Sequence, residues 1–153
     1  MTSHTALPGH PHIAYVGDQL HVEGVALSQL AREHGTPLFV YSKAAMLSAL
    51  AAYQRGFAGR KAQICYAMKA NSSLGVLQLF ARAGCGFDIV SGGELARALA
   101  AGGEPSKVIF SGVGKTRAEM KQALQAGIGC FNVESEAELD VLSAVATQMG
   151  LKA

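Results

Sequence analysis

A lysine closes an otherwise apolar stretch, Gln63-Ile-Cys-Tyr-Ala-Met-Lys-Ala-Asn-Ser72. With strand alternation, Cys65, Ala67 and Lys69 share one face, and Tyr66 and Met68 the other. The small neighbours on the first face leave room around the Lys69 amine. A lysine withdrawn from water loses basicity, and a neutral amine attacks aldehydes. That combination suits covalent chemistry with a carbonyl substrate or an aldehyde cofactor. The competing reading is a lysine that simply leaves the strand for solvent, as most lysines do.

Other residues invite weaker readings. Asp88 stands between Phe87 and Ile89, and a carboxylate set in an apolar strand needs a polar partner. It would either orient Lys69 from the next strand or form an ordinary ion pair. Glu94 lies three residues after Ser91, the spacing of a capping box, so capping competes with any acid role. Ser111 ends a third strand-like run. Gly112-Val-Gly-Lys-Thr116 has the look of a phosphate loop, but Ile109 stands where the first glycine is needed. Arg117 likewise occupies the third glycine position of the dinucleotide pattern, so nucleotide binding is not expected. Lys43 and Lys115 should be solvated, as lysines at helix starts usually are. All five histidines lie at or before His34, and no metal site is expected.

The elements that must position these residues are legible in the periodicity. Met46, Leu50, Tyr53 and Phe57 mark one helical face. Four strand-like runs follow, Gln63–Met68, Gly86–Ser91, Lys107–Ser111 and Cys130–Glu134, each trailed by a helical segment. Ser91 with Glu94, Thr116 with Glu119 and Ser135 with Glu138 match capping boxes. Gly84, Gly102, Gly127 and Gly150 stand where helices close. The result is a tandem βα repeat, hence a parallel sheet with right-handed crossovers. An open doubly wound sheet and a (β/α)8 barrel both remain, and the regularity favours the barrel. A barrel needs eight units and about 250 residues, and only four units are clear in residues 43–153. Upstream, β-like pieces occur near Ala14–Val16 and Leu20–Val22 around a Gly17-Asp18 turn. A short helix from Ala26 to His34 ends at Gly35, Thr36-Pro37 forms a break, and Leu38–Tyr41 reads as another β run. The segment 1–12 reads as a mobile tail.

Composition narrows the class. The 153 residues are 50% hydrophobic and 16% charged with a net charge of +2, which argues against a disordered chain and against nucleic acid as a partner. No apolar run reaches the roughly 18 residues of a membrane span, and no signal-like start is visible. Cys65, Cys85 and Cys130 are odd in number and widely spaced, which suits reduced thiols in the cytoplasm.

Tyr66-Ala-Met-Lys69-Ala-Asn71 resembles the cofactor-lysine motif of the fold-type III pyridoxal phosphate decarboxylases, in the variant of the diaminopimelate decarboxylases. Phe87-Asp-Ile-Val-Ser-Gly-Gly-Glu-Leu95, Phe110-Ser-Gly-Val-Gly-Lys115, Phe131-Asn-Val-Glu-Ser-Glu136 and Gly35-Thr-Pro-Leu-Phe-Val-Tyr41 fit the same family in order and spacing. The resemblance covers about residues 13–153. It implies an alanine racemase-like barrel, of which residues 43–153 would be the first half. Residues 13–42 would then be the N-terminal portion of a β-rich domain. Pyridoxal 5'-phosphate is the implied cofactor, covalently held by Lys69, with Asp88 positioning that lysine and Glu94 and Ser111 bordering the pocket. The implied reaction is decarboxylation of meso-2,6-diaminopimelate to L-lysine and carbon dioxide, by a homodimer. The family's ring-stacking histidine, phosphate loop and partner-subunit cysteine would all lie beyond Ala153, so a chain of this length is expected to be inactive alone. An ornithine or arginine decarboxylase and a non-catalytic homologue acting as a binding protein are the rival readings.

Overall fold

The structure is a computed structural model that describes residues 4–7 and 10–153. The chain divides into two compact units, Met1–Ala58 and Gly59–Ala153.

The first unit is built on an antiparallel meander of β1 (His4–Leu7), β2 (His10–Val16), β3 (Gln19–Val22) and β4 (Val25–Ala26). Two helices complete it, α1 (Leu27–His34) and α2 (Lys43–Gly56). The expected turn joins β2 to β3, with Gly17 at φ 65. The expected mobile tail is different: His4–Leu7 is a strand paired with β2, and β2 itself begins at His10. An antiparallel neighbour satisfies backbone groups whatever the side chains are, so polar composition did not prevent pairing. The remainder of that tail, residues 1–3 and 8–9, lies outside the described residues. The expected β run Leu38–Tyr41 is not a strand. It follows a cis Thr36–Pro37 peptide, and Phe39 is 86% exposed.

At the start of α2 a carboxylate replaces the acidic first turn that the sequence lacks. Glu23 Oε1 accepts from Ser42 Oγ at 2.7 Å and from the Ala44 amide at 2.9 Å. Those bonds hold the Glu23 carboxyl below the usual carboxylate range, the Ala44 bond foremost.

The second unit alternates strands and helices: β5 (Cys65–Ala67), α3 (Leu74–Arg82), β6 (Gly86–Ile89), α4 (Gly92–Ala100), β7 (Val108–Phe110), α5 (Arg117–Ala126), β8 (Cys130–Phe131) and α6 (Glu136–Met149). All neighbouring strands are parallel, and the spatial order β5-β6-β7-β8 repeats the chain order. A doubly wound sheet reverses its order at a switch point, whereas a barrel adds each strand to the outer side of the last. These are four consecutive βα units of a (β/α)8-type barrel. The strands are shorter than the sequence runs because the polar residues at their carboxyl ends leave the ladder for the βα loops.

The sheet has two unlike faces. Phe87, Ile89, Val108 and Phe110 are fully buried. Tyr66, on the same side, stacks on Phe80 of α3 with ring centroids 4.3 Å apart. Burial of four such side chains contributes about 1.5–3 kcal/mol each to folding. Met120 and Leu124 of α5 pack with Leu142, Val145 and Ala146 of α6, and Phe131 joins them from β8. The opposite face carries Ala67, Asp88, Ile109 and Cys130 in one register row. α5 and α6 close on Gly127 and Gly150, whose φ values of 70° and 63° an L side chain would resist.

Candidate active site at the carboxyl edge of the parallel sheet

Lys69 does not continue β5. The chain turns at Ala67 into a single 3-10 turn, Met68–Ala70, which carries Lys69 at its centre. Met68 is buried and anchors the turn. Tyr66 Oη donates to the Asn71 carbonyl at 3.1 Å, and Asn71 Oδ1 accepts from the Ser73 amide at 2.8 Å. The backbone around Lys69 is therefore fixed while its side chain is exposed. Among the described residues Lys69 makes no hydrogen bond or ion pair. Of the two readings of Lys69, the solvent-facing one agrees with this exposure and the desolvated lysine on the Cys65 and Ala67 face does not, since the 3-10 turn breaks the alternation.

Asp88 lies opposite Ala67 in the parallel register. Its partner is Ser111, whose hydroxyl donates to Asp88 Oδ1 at 2.6 Å. Asn132 Nδ2 donates in turn to Ser111 Oγ at 3.1 Å. The expected contact of Asp88 with Lys69 is not formed. What the sheet creates instead is a polar row, Asp88–Ser111–Asn132, across the ends of β6, β7 and β8. Asn132 was not among the candidate residues, although it stands two positions after Cys130, where alternation returns a side chain to the Asp88 face.

Glu94 acts as a cap. Ser91 Oγ accepts from the Glu94 amide at 3.2 Å, and Glu94 Oε2 accepts from the Val90 amide at 2.7 Å. The carboxylate thus reaches one residue beyond the N-cap. Glu138 does the same, accepting from the Glu134 amide at 3.3 Å while its own amide bonds Ser135 Oγ at 3.2 Å. Of the three expected capping boxes only Thr116 with Glu119 closes fully. The dihedrals explain this: Ser91 and Ser135 are extended at φ −157° and −160°, whereas Thr116 sits at φ −84°. The extended caps turn their own amides away. Glu119 also accepts from the Gly92 amide at 2.9 Å, joining the third βα loop to the second. Bonds from Gly92 and Thr116 hold its carboxyl below the usual range.

Lys115 overturns its expectation. Its side chain is fully buried. Its Nζ donates to the Gly112 carbonyl at 2.6 Å, to the Asn132 carbonyl at 2.7 Å and to Glu138 Oε1 at 2.6 Å. A helix-start lysine is solvated only if no acceptor cluster closes over it, and here three elements supply one.

The three cysteines are free thiols. Burial pushes the Cys85 thiol up to about 11, and burial followed by the Asp88 charge raises that of Cys65. Among the described residues no group of His, Cys, Asp and Glu could hold a metal ion, and no helix is long and apolar enough to cross a membrane.

A family model described as "Pyridoxal-dependent decarboxylase, pyridoxal binding domain" matches residues 43–152. The chain belongs to this decarboxylase family. Among curated relatives, the diaminopimelate decarboxylase of Pseudomonas aeruginosa is 55% identical over 140 residues, covering 92% of this chain and 34% of that protein. That of Vibrio cholerae is 59% identical over 135 residues, covering 88% and 32%. The solved diaminopimelate decarboxylase of M. jannaschii superposes with a TM-score of 0.91 at 32% identity, covering 96% of this chain and 35% of that one. The Helicobacter pylori enzyme complexed with L-lysine gives 0.79 at 44% identity, covering 82% and 32%. The chain spans about one third of the length of the relatives it matches. A lysine/ornithine decarboxylase from Vibrio vulnificus, at 21% identity and a TM-score of 0.70, shares the fold. The likeness to decarboxylase barrels agrees with the sequential strand order.

Proposed function

We propose that this chain is the cofactor-lysine-bearing part of a diaminopimelate decarboxylase, which converts meso-2,6-diaminopimelate to L-lysine and carbon dioxide. The observation that carries the reading is Lys69: an exposed amine, free of partners among the described residues, on a rigid turn at the carboxyl edge of a pyridoxal-binding barrel. In parallel α/β architectures that edge is where ligands bind. Relatives that bear the diaminopimelate decarboxylase name and share this fold have been crystallised with L-lysine, which supports the substrate class.

The residues present fit pyridoxal phosphate. The exposed Lys69 side chain is open to a ligand aldehyde, and Asp88, Ser111 and Asn132 offer acceptors and donors on the neighbouring strands. Lys69 would hold the cofactor covalently, with Asp88 and Ser111 bordering it and Glu94 fixing the β6–α4 loop. Pyridoxal phosphate, when bound, supplies the electron sink that accepts the pair left by departing carbon dioxide. Lys69, once its Nζ is free of the cofactor, would be placed to hold or move a proton at that atom. Asp88, kept in line by Ser111, presents one fixed negative charge to that edge. A homodimer accompanies the reading by family resemblance alone, and a cytoplasmic location suits three thiols that form no disulfide.

Borohydride reduction of the full-length holoenzyme followed by peptide mapping tests the assignment. The label is expected on Lys69, and a label on any other lysine rejects it. Turnover of diaminopimelate in preference to ornithine and arginine tests the substrate class.

A further inference from the structure

Lys115 takes no part in that reading, yet its side chain is fully buried and makes three hydrogen bonds. Its ammonium meets acceptors from three elements: Gly112 in the β7–α5 loop, Asn132 at the end of β8 and Glu138 in the first turn of α6. Helix capping does not require it, because Ser135 already caps α6. Stability does not explain it either, since a buried ion pair often does no better than an apolar pair of the same volume. What distinguishes its place is the residue at the far end of one bond. Lys115 holds the backbone of Asn132, and the side chain of Asn132 holds Ser111, which holds Asp88. The Gly112 end is also pinned, its amide donating to Glu134 Oε1 at 3.2 Å.

We propose that Lys115 is a positioning residue of the active site, acting through Asn132 and Ser111 to hold Asp88 in register beside the edge that carries Lys69. The inference rests on the function proposed above. Its ammonium fixes the end of β8 against the end of β7, and so keeps the Asn132–Ser111–Asp88 row straight. No bond is made or broken, and Lys115 touches neither substrate nor cofactor.

The test uses a full-length decarboxylase that carries this sequence, as Lys115→Met and as the apolar exchange Lys115→Met with Glu138→Leu. The double variant leaves no uncompensated buried charge, so it is the arm that folds if the single one does not. Both variants are expected to lower kcat on the order of 10-fold with KM changed much less, as loss of a supporting shell does. Both should also shift the pH midpoint of the absorbance of the Lys69-linked cofactor. In the cofactor-free protein, amide exchange at Gly112 and Asn132 should quicken in both variants. Lys115→Arg, which keeps charge and donors, should recover part of the effect. A double variant that melts like the wild type and keeps wild-type kcat, chromophore titration and amide exchange overturns the proposal. A wild-type protein that carries no cofactor on Lys69 would instead defeat the functional reading, and the exchange experiment would still decide whether Lys115 holds the edge.

Discussion

Two lysines stand at the same edge of one sheet and live opposite lives. Lys69, after β5, is exposed on a turn anchored by Met68 and makes no polar contact among the described residues. Lys115, after β7, is sealed from water and bonded to three acceptors at 2.6–2.7 Å. The same ammonium on the same flexible stem is left open to solvent in one loop and becomes a structural tie in the other. The difference lies in what surrounds each loop. Tyr66 and Asn71 fix the backbone of the first and leave the side chain outside. In the second, the β8 end and the start of α6 close over the side chain. Reactivity needs a fixed base and a free tip, and support needs the reverse.

This contrast can be broken by substitution. Lys69→Ala in the full-length enzyme should cost at least about 1000-fold in kcat. Its effect on stability should stay within roughly 0.5 kcal/mol, as for an exposed side chain. Steady-state kinetics and a denaturant titration check both halves, and a large loss of stability would make Lys69 structural after all. Lys115→Met should do the opposite, costing about 3 kcal/mol by leaving the largely buried Glu138 carboxylate without its counter-ion. A urea midpoint unchanged from the wild type would show that the pair is solvated.

Smaller effects sharpen the comparison. Thr116→Ala opens the one complete capping box and should cost about 1 kcal/mol without moving the chromophore of the Lys69 cofactor. Thermal melts and absorbance spectra measure the two separately. Cys85 supplies a pH test that touches neither lysine. Its thiol is raised from 9.0 to about 11 in the folded chain, so folding favours the protonated form. The stability it contributes is complete below pH 9 and is lost as pH rises towards 11. Alkylation at pH 9 should accordingly label the exposed Cys130 well before the buried Cys85, and equal rates would contradict the burial.

Much of the second unit could be read directly from residues. The strand–helix alternation and the four closing glycines follow from local rules, and each reappears in the structure. Lys69 was singled out by its motif, and its exposed place on the turn matches the solvent-facing reading rather than the desolvated one. Asp88 and Ser111 were found as single residues, and their bond to each other was not, since 23 positions separate them. The capping pairs were visible, but two of them reach past the N-cap because a serine dihedral decides where its own amide points. The first unit was harder. The polar stretches His4–Leu7 and 10–12 pair as strands through their backbone, which leaves no hydrophobic pattern to detect.

The sequence by itself determined the βα repeat and the helix ends, because each depends on residues within a few positions of one another. Only the tertiary structure decided which lysine is exposed and which is buried, and which polar residues join in the row Asp88–Ser111–Asn132. Burial and cross-strand bonding are properties of neighbours brought together by the sheet, and the distances that set them do not exist until the strands align.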